Sequence, residues 1–479
     1  MAIIGQLLCI FFIGLGKTLS YLKKNCYNNT IMTLTTKTIH VIGASFAGLA
    51  FVDKYKDLNP DSQIILIDKE SCPNYIPNGI NQLFRGDIQD LSDAMWGRAC
   101  LAAQIESNHR FIQAEVLAIE APSNTLLLKD SQGRVFEEGY ETLVCAMGAS
   151  PQSHYIETSQ TNKVLVTKYY EESQASLKLI EASQEVLVIG AGLIGLDLAY
   201  SLSLQGKRVK LIEAAERPDF YQTDAELIAP VMAEMSTHHV TFINNKRVTA
   251  IHEIEGKVVA HTEQGDTFQG DLAILAINFR PNTHLLQGQV ACALDKTILV
   301  NENLQTSQAN IYAIGDMVSL HFGILGMDYY TPLINQAMKT GQALALHLAG
   351  YPIPPLQTVK VLGSSHFGYY RASVGVTEEE AELYMDTCSY LYQNGDSKNL
   401  FWLKLIARKT DGILIGAQLL SKTNALVIAN QLGQALALKV TDADLAFQDF
   451  LFLQGHSDLA YHLHEACLKL FEKRLRHED

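Results

Sequence analysis

The stretch Ile39-His-Val-Ile-Gly-Ala-Ser-Phe-Ala-Gly-Leu-Ala-Phe-Val52 reads as a buried strand that runs straight into a helix. Gly43 lets the chain turn off the strand, the small side chains of Ala44, Ser45 and Ala47 leave room for a phosphate at the backbone, and Gly48 lets helix and strand pack closely. The helix N-terminus then turns free N–H groups and a positive dipole toward a pyrophosphate. A glycine-rich turn alone is a weak signal, and the middle glycine of G-x-G-x-x-G is Ser45 here. A second apolar run strengthens it. Gln63-Ile-Ile-Leu-Ile-Asp68 follows about one helix later, and Asp68, with Lys69 beside it, stands where a dinucleotide site needs an acceptor for ribose hydroxyls.

The same pattern returns complete at Glu185-Val-Leu-Val-Ile-Gly-Ala-Gly-Leu-Ile-Gly195, with Gly190, Gly192 and Gly195 in register, followed by a helical stretch to Leu204. Gly206 stops that helix, and the strand Arg208-Val-Lys-Leu-Ile-Glu213 ends in an acid at the expected spacing. Two fingerprints in one chain imply one site for a flavin dinucleotide, FAD, and one for a nicotinamide dinucleotide. Glu213 favours NADH, because a carboxylate pairs with a free 2′-hydroxyl and repels a 2′-phosphate. Arg208 and Lys210 precede Glu213 and build no phosphate pocket.

Between and after the two copies the chain crosses over twice. Ala146-Met147-Gly148-Ala149-Ser-Pro151 leads out of the first unit, and Asn278-Phe-Arg-Pro281 leads back. A third signal, Asn310-Ile-Tyr-Ala-Ile-Gly-Asp316, places Asp316 at a sheet's carboxyl edge, able to accept from a flavin's ribityl hydroxyl. Thr331 to Leu348 reads as the next helix, ended by Gly350.

Tyr351-Pro-Ile-Pro-Pro355 is a stiff connector into an α+β stretch. There we expect a helix over 377–386 with Thr377 as N-cap, strands over 400–407 and 412–420, and helices over 424–438 and 458–474. This stretch shows no phosphate loop and no metal-ligand cluster; His462 and His464, two apart, do not share a helix face. We expect no metal.

Length and composition set the frame. A chain of 479 residues is long enough for about three domains, and 48% hydrophobic with 18% charged residues is a globular composition. The formal charge of −14, with no basic arm, argues against nucleic acid as a partner. Eight dispersed cysteines without a C-x-x-C pair give neither a zinc site nor a disulfide framework, which places the protein in a reducing cytoplasm. Ala2–Leu15 is apolar apart from Gln6, shorter than the ~18 residues a bilayer span needs, and lacks preceding positive charge. We therefore read residues 1–36 as an extension, with Met32 as a natural start and no membrane contact.

Taken together, Ile42–Gly48, Ala146–Pro151, Val188–Gly195, Arg280–Thr283, Ile311–Asp316 and Leu445–Phe450 make a chain that resembles the pyridine nucleotide-disulfide oxidoreductase family, in the branch of NADH oxidase, NADH peroxidase and coenzyme A-disulfide reductase. The resemblance implies an α/β fold of two Rossmann-like three-layer domains plus a C-terminal α+β dimerisation domain. FAD would take 37–150 and 277–350, NAD 151–276, and dimerisation 355–479. The cofactor contacts would come from Gly43, Ser45, Phe46, Ala47, Gly48, Asp68, Lys69, Met147, Gly148, Ala149 and Asp316 for FAD, and from Gly190, Gly192, Leu193, Ile194, Gly195, Glu213 and Asn278 around NAD and the return crossover.

The resemblance breaks at the chemistry. That branch carries a redox cysteine shortly after the first acidic strand end; here the matching turn is Tyr75-Ile-Pro-Asn-Gly-Ile80, with Asn78 at the cysteine's position. Relatives often place a histidine where Phe46 stands, a tyrosine where Leu193 stands and a glutamate where Asp197 stands. A thiolate is what cleaves a peroxide bond, and an amide cannot do so. Cys72, six residues upstream of Asn78, is the one nearby thiol a mobile loop could bring in. The expected function is a homodimeric FAD flavoprotein that takes electrons from NADH and passes them to dioxygen, releasing hydrogen peroxide. Two other readings stay open: an NADH-dependent reductase of a small electron-carrier protein, quinone or disulfide, and a low-turnover nucleotide-sensing flavoprotein.

Overall fold

The computed structural model describes residues 38–97, 109–151, 155–277, 279–453 and 458–476. Expectations about residues 1–36 and about Asn278 lie outside these described residues.

The opening stretch forms the strand Ile39–Ile42 and the helix Phe46–Leu58. The strand sits in a seven-stranded sheet, flanked in parallel by Ile64–Asp68 on one side and Thr142–Cys145 on the other. Beyond Thr142–Cys145 lies the late strand Ile311–Ala313, while His109–Glu120 continues into an antiparallel ribbon that turns at Asp130–Gly133. Alternation decides the two faces. Ile39 and Val41 pack under helices Phe46–Leu58 and Ile334–Leu348, and Ile42 packs on the ribbon side with Ile67, Leu126 and Leu143. The two helices touch at Gly341, where a Cβ would lie 2.3 Å from the Ala47 carbonyl oxygen.

A second lobe is inserted between the two crossovers, which run side by side as the antiparallel pair Ala149–Pro151 and Phe279–Pro281. Its sheet has five parallel strands, with Glu185–Ile189 in the middle between Arg208–Ile212 and Leu272–Leu275. Val186 and Val188 pack against helix Leu193–Leu204, while Leu187 and Ile189 pack on a small antiparallel sheet, so this lobe too has three layers.

The C-terminal part is a five-stranded antiparallel sheet, with Val361–His366 and Thr387–Asn394 at its edges. Helices Val427–Ala437, Asp442–Ala446 and Asp458–Arg476 bury one face of it. Three helix expectations are corrected. Thr377 does cap its helix, accepting from Glu380 N at 3.1 Å, but the helix runs only over Glu378–Glu382. The helix expected from Thr331 begins at Ile334, because Pro332 disfavours helical geometry at the residue before it. The helix expected from 424 begins at Val427.

The other face of the C-terminal sheet meets the second lobe through charge. Lys404 is buried with its Nζ 2.8 Å from Asp224 and 2.6 Å from Glu378, and it also pairs with Glu226. Burial opposes its charge, but the carboxylates outweigh burial and raise its pKa. These three acids lie close enough together to hold a metal ion; instead they close on the ammonium. No helix among the described residues is long and apolar enough to cross a membrane.

Candidate active site

Both glycine turns are built alike. Gly43 N donates to Ile67 O and Gly190 N to Ile212 O, each at 2.8 Å, which ties each turn to the neighbouring strand. A Cβ on Gly48 would stand 1.9 Å from Gly43 O, and one on Gly195 would stand 1.8 Å from Gly190 O, so only glycine lets each helix pack on its own turn. Gly192 differs: a Cβ there would meet nothing within 4 Å, which is the open space a phosphate needs. The first helical bonds are donated by Leu49 and Leu196, leaving the earlier N–H groups of each helix without an intrahelical acceptor.

The two acids mirror each other as well. Asp68 accepts from Ala44 N at 2.8 Å and Glu70 N at 3.0 Å; Glu213 accepts from Ala191 N at 2.6 Å and Ala215 N at 2.9 Å. Each carboxylate thus braces its own turn while keeping lone pairs for a ribose. Burial pushes the Asp68 carboxyl up to about 6, against the Ala44 hydrogen bond and the Lys69 charge.

A single cleft of about 2090 Å³ joins the turns. It is lined by Gly43, Ser45, Phe46, Ala47, Asp68, Lys69, Met147 and Gly148 from the first lobe, by Gly190, Gly192, Leu193, Ile194, Asp197 and Glu213 from the second, and by Cys72, Asn78 and Asp316. Gly48, Ala149 and Gly195 stand just behind that lining as packing residues, all buried. Asp316 faces the cleft with its pKa raised by burial and held back by the nearby Lys168 ammonium. Lys168 Nζ donates to Ala149 O and lies 5.2 Å from the centre of the Phe279 ring.

Asn78 has φ 60, in the left-handed region that asparagine tolerates better than most side chains. Its Oδ1 accepts from Thr167 Oγ1 at 3.2 Å. Phe46 packs on Trp96 with ring centres 5.2 Å apart and the ring planes tilted by 34°. The loop carrying Cys72 is tied down along its length. Ser71 donates twice to Glu171, Asn74 exchanges bonds with Trp96, Ile76 N donates to Ala94 O, and the Tyr75 hydroxyl accepts from Ile80 N at 2.8 Å.

Asp197 is the centre of a cluster that sequence reasoning reached only in part. Asn81 Nδ2 donates to its Oδ2 at 2.8 Å, Arg85 Nη1 donates to its Oδ1, and His366 Nε2 stands 3.4 Å from Oδ1. Nothing in the local pattern around Arg85 or His366 announces this meeting, since each comes from a different part of the chain.

The sequence model of the family described as pyridine nucleotide-disulphide oxidoreductase matches residues 37–341. The chain belongs to this family. An NADH oxidase of Enterococcus faecalis is 26% identical over 431 residues, covering 87% of this chain and 95% of that protein. An NADH oxidase of Methanocaldococcus jannaschii is 27% identical over 458 residues, covering 90% and 99%. The structure of a water-forming NADH oxidase from Lactobacillus brevis, bound to NADH, superposes with a TM-score of 0.86 at 23% identity, covering 92% of this chain and all of that one. As a pyridine nucleotide-disulphide oxidoreductase, this chain is an NAD(P)H oxidoreductase with FAD and NAD(H) as its cofactors.

The residues fit those groups. The cleft exceeds the roughly 300–1,000 Å³ of a drug-sized site, as two dinucleotides require. The buried Tyr330 hydroxyl and Thr331 Oγ1, both in the lining near Asp316, have no hydrogen-bond partner among the described residues.

Proposed function

We propose that this flavoprotein is an NADH oxidase that reduces dioxygen to hydrogen peroxide and stops there. The observation that carries the reading is Asn78, a non-redox amide in a left-handed turn beside the cleft, held by Thr167. FAD, when bound, supplies two-electron transfer between NADH and dioxygen. The chain's own part is to bind, orient and exclude: the first turn, Asp68 and Asp316 would hold FAD, the second turn and Glu213 would hold NADH, and Phe46 with Trp96 would keep water from one side. The Lactobacillus brevis enzyme is described as water-forming; the proposal for this chain differs because it has no thiol at position 78. Measuring the peroxide formed per NADH consumed tests it.

In this reading residues 37–150 and 277–350 take FAD, 151–276 take NADH, and 355–479 form the contact between two copies in the cytoplasm. Phe447, Leu451, Phe452 and Leu453 are all more than half exposed, a cluster of large apolar side chains that a second copy would cover. Phe452→Asp should sediment as a monomer; an unchanged dimer would remove the support for this face.

Glu213→Ala should narrow the preference for NADH over NADPH by ~1 to 3 kcal/mol, the scale of one hydrogen bond to a charged group. Equal use of the two coenzymes by the unaltered protein would contradict the assignment.

FAD retention should depend on pH through Asp68. The ribose hydroxyls donate to the ionised carboxylate, so affinity should fall by up to about tenfold per unit as the pH drops through about 6. The empty protein has the opposite sign: a raised carboxyl pKa means the folded state binds more protons, so stability falls as the pH climbs from 3.8 through about 6. Equilibrium dialysis of FAD between pH 5 and 8 reads the first effect, and a flat profile would exclude Asp68.

A further inference from the structure

Second-lobe geometry gives the cleft a direction. Adenosine ribose belongs at Glu213 and the diphosphate on the turn Gly190–Gly195, so the nicotinamide end must leave toward the far side, where Asp197 lies one turn into helix Leu193–Leu204. This orientation rests on the reading proposed above.

Asp197 is a half-buried carboxylate with three donors converging from two separate elements. Asn81 and Arg85 come from the short helix Ile80–Arg85 just after Asn78, and His366 comes from the edge strand Val361–His366 of the C-terminal sheet. Burial works to raise its pKa, but the hydrogen bond and charge of His366, with Arg85 and Asn81, hold it below the usual carboxylate range. Arg85 is itself anchored by Asp87 at 2.8 Å and Ser201 at 3.3 Å.

His366 is 4% exposed. Its ring lies 6.5 Å from that of Tyr200, which in turn contacts His238 and Phe367. Burial lowers its pKa and the Arg371 charge adds to this, while Asp197 and Asp219 oppose. Its Nδ1 is buried and has no partner among the described residues, so the proton sits on Nε2, facing Asp197. A carboxylate offers about four acceptor sites, and the three donors leave one uncommitted.

We propose that His366 is a positioning residue for the nicotinamide end of the site: it fixes the Asp197 carboxylate so that the remaining acceptor site meets the amide N–H of the nicotinamide carboxamide. The C-terminal sheet thereby becomes part of the coenzyme site rather than only a contact between copies. A lone carboxylate on a helix would be free to rotate. Pinned at Oδ1 by Arg85 and His366 and at Oδ2 by Asn81, it presents one orientation, and a preoriented acceptor loses less entropy on binding.

The test compares two probes on the FAD-loaded protein by calorimetry: NAD+, and ADP-ribose, which lacks the nicotinamide. H366F should weaken NAD+ about tenfold, the scale of one hydrogen bond, and leave ADP-ribose within about twofold; H366Q, which keeps an N–H donor, should recover most of the loss. Equal weakening of both probes would mean that His366 only supports the fold, and no change in either would mean that it does nothing; each result overturns the inference. Nitrogen-15 histidine NMR of the unaltered protein decides the matter if H366F loses its flavin: the His366 signals should move with NAD+ and not with ADP-ribose, and identical shifts would overturn the inference. Unaltered protein that binds neither probe would refute the functional reading itself, and the inference with it.

Discussion

Gly195→Ala should give a protein that stays yellow but is no longer bleached by NADH, and Gly48→Ala a protein that purifies colourless. In each case the new Cβ would fall within 2 Å of a carbonyl oxygen of the same turn, Gly190 O or Gly43 O. Those turns cannot give way easily, because Gly190 N and Gly43 N are bonded to the adjacent strands at 2.8 Å. Overpacking of this kind costs about 1–3 kcal/mol where side chains can adjust, and more where the obstacle is backbone. The turn therefore opens, and the diphosphate loses its seat. Gly192→Ala is the control that separates packing from approach: its Cβ enters open space, so the melting temperature should hold while NADH binding falls. NADH bleaching of Gly195→Ala at the normal rate would sink the argument.

Hydrogen peroxide should accumulate at close to one per NADH oxidised, and added peroxide should not be consumed. Dioxygen needs no protein thiol to take two electrons, whereas cleaving the peroxide bond in this family does. Cys72→Ser should change neither quantity, since the loop around Cys72 is bonded to Glu171, Trp96, Ala94 and Ile80 and cannot swing freely. Asn78→Cys should restore little peroxide reduction. A cysteine would have to hold φ near 60, a conformation that favours asparagine, and Phe46, packed against Trp96, offers no proton or charge to a thiolate. Water as the main product, abolished by Cys72→Ser, would make the loop cysteine the redox centre and refute the proposal.

The backbone of this fold could be read from the chain because it is written in glycines and strand-end acids. Gly43, Gly48, Gly190 and Gly195 occupy places where a Cβ has no room, and Asp68 and Glu213 brace the turns they follow. Such constraints are local, so spacing reveals them. The Asp197 cluster was only partly visible. Its aspartate stood out against the family pattern, but Arg85 and His366 reach it from a helix and a strand far apart in the chain, and no periodicity encodes that meeting. The ring of acids around Lys404 was invisible for the same reason. Helix ends were misjudged where a short-range effect intervened, as at Pro332 before Ile334.

The paired crossovers, Ala149–Pro151 beside Phe279–Pro281, divide the first lobe between two distant stretches of chain. The first lobe emerges early, yet its strand Thr142–Cys145 has no outer neighbour until Ile311–Ala313 arrives, and helix Phe46–Leu58 lacks its partner until Ile334–Leu348 does. The inserted lobe has all its strands in one continuous segment and can close first. The segment that begins the chain's folding pattern is thus among the last to be completed, because helix Phe46–Leu58 gains its close neighbour at Ala47 only when Gly341 of the late helix arrives.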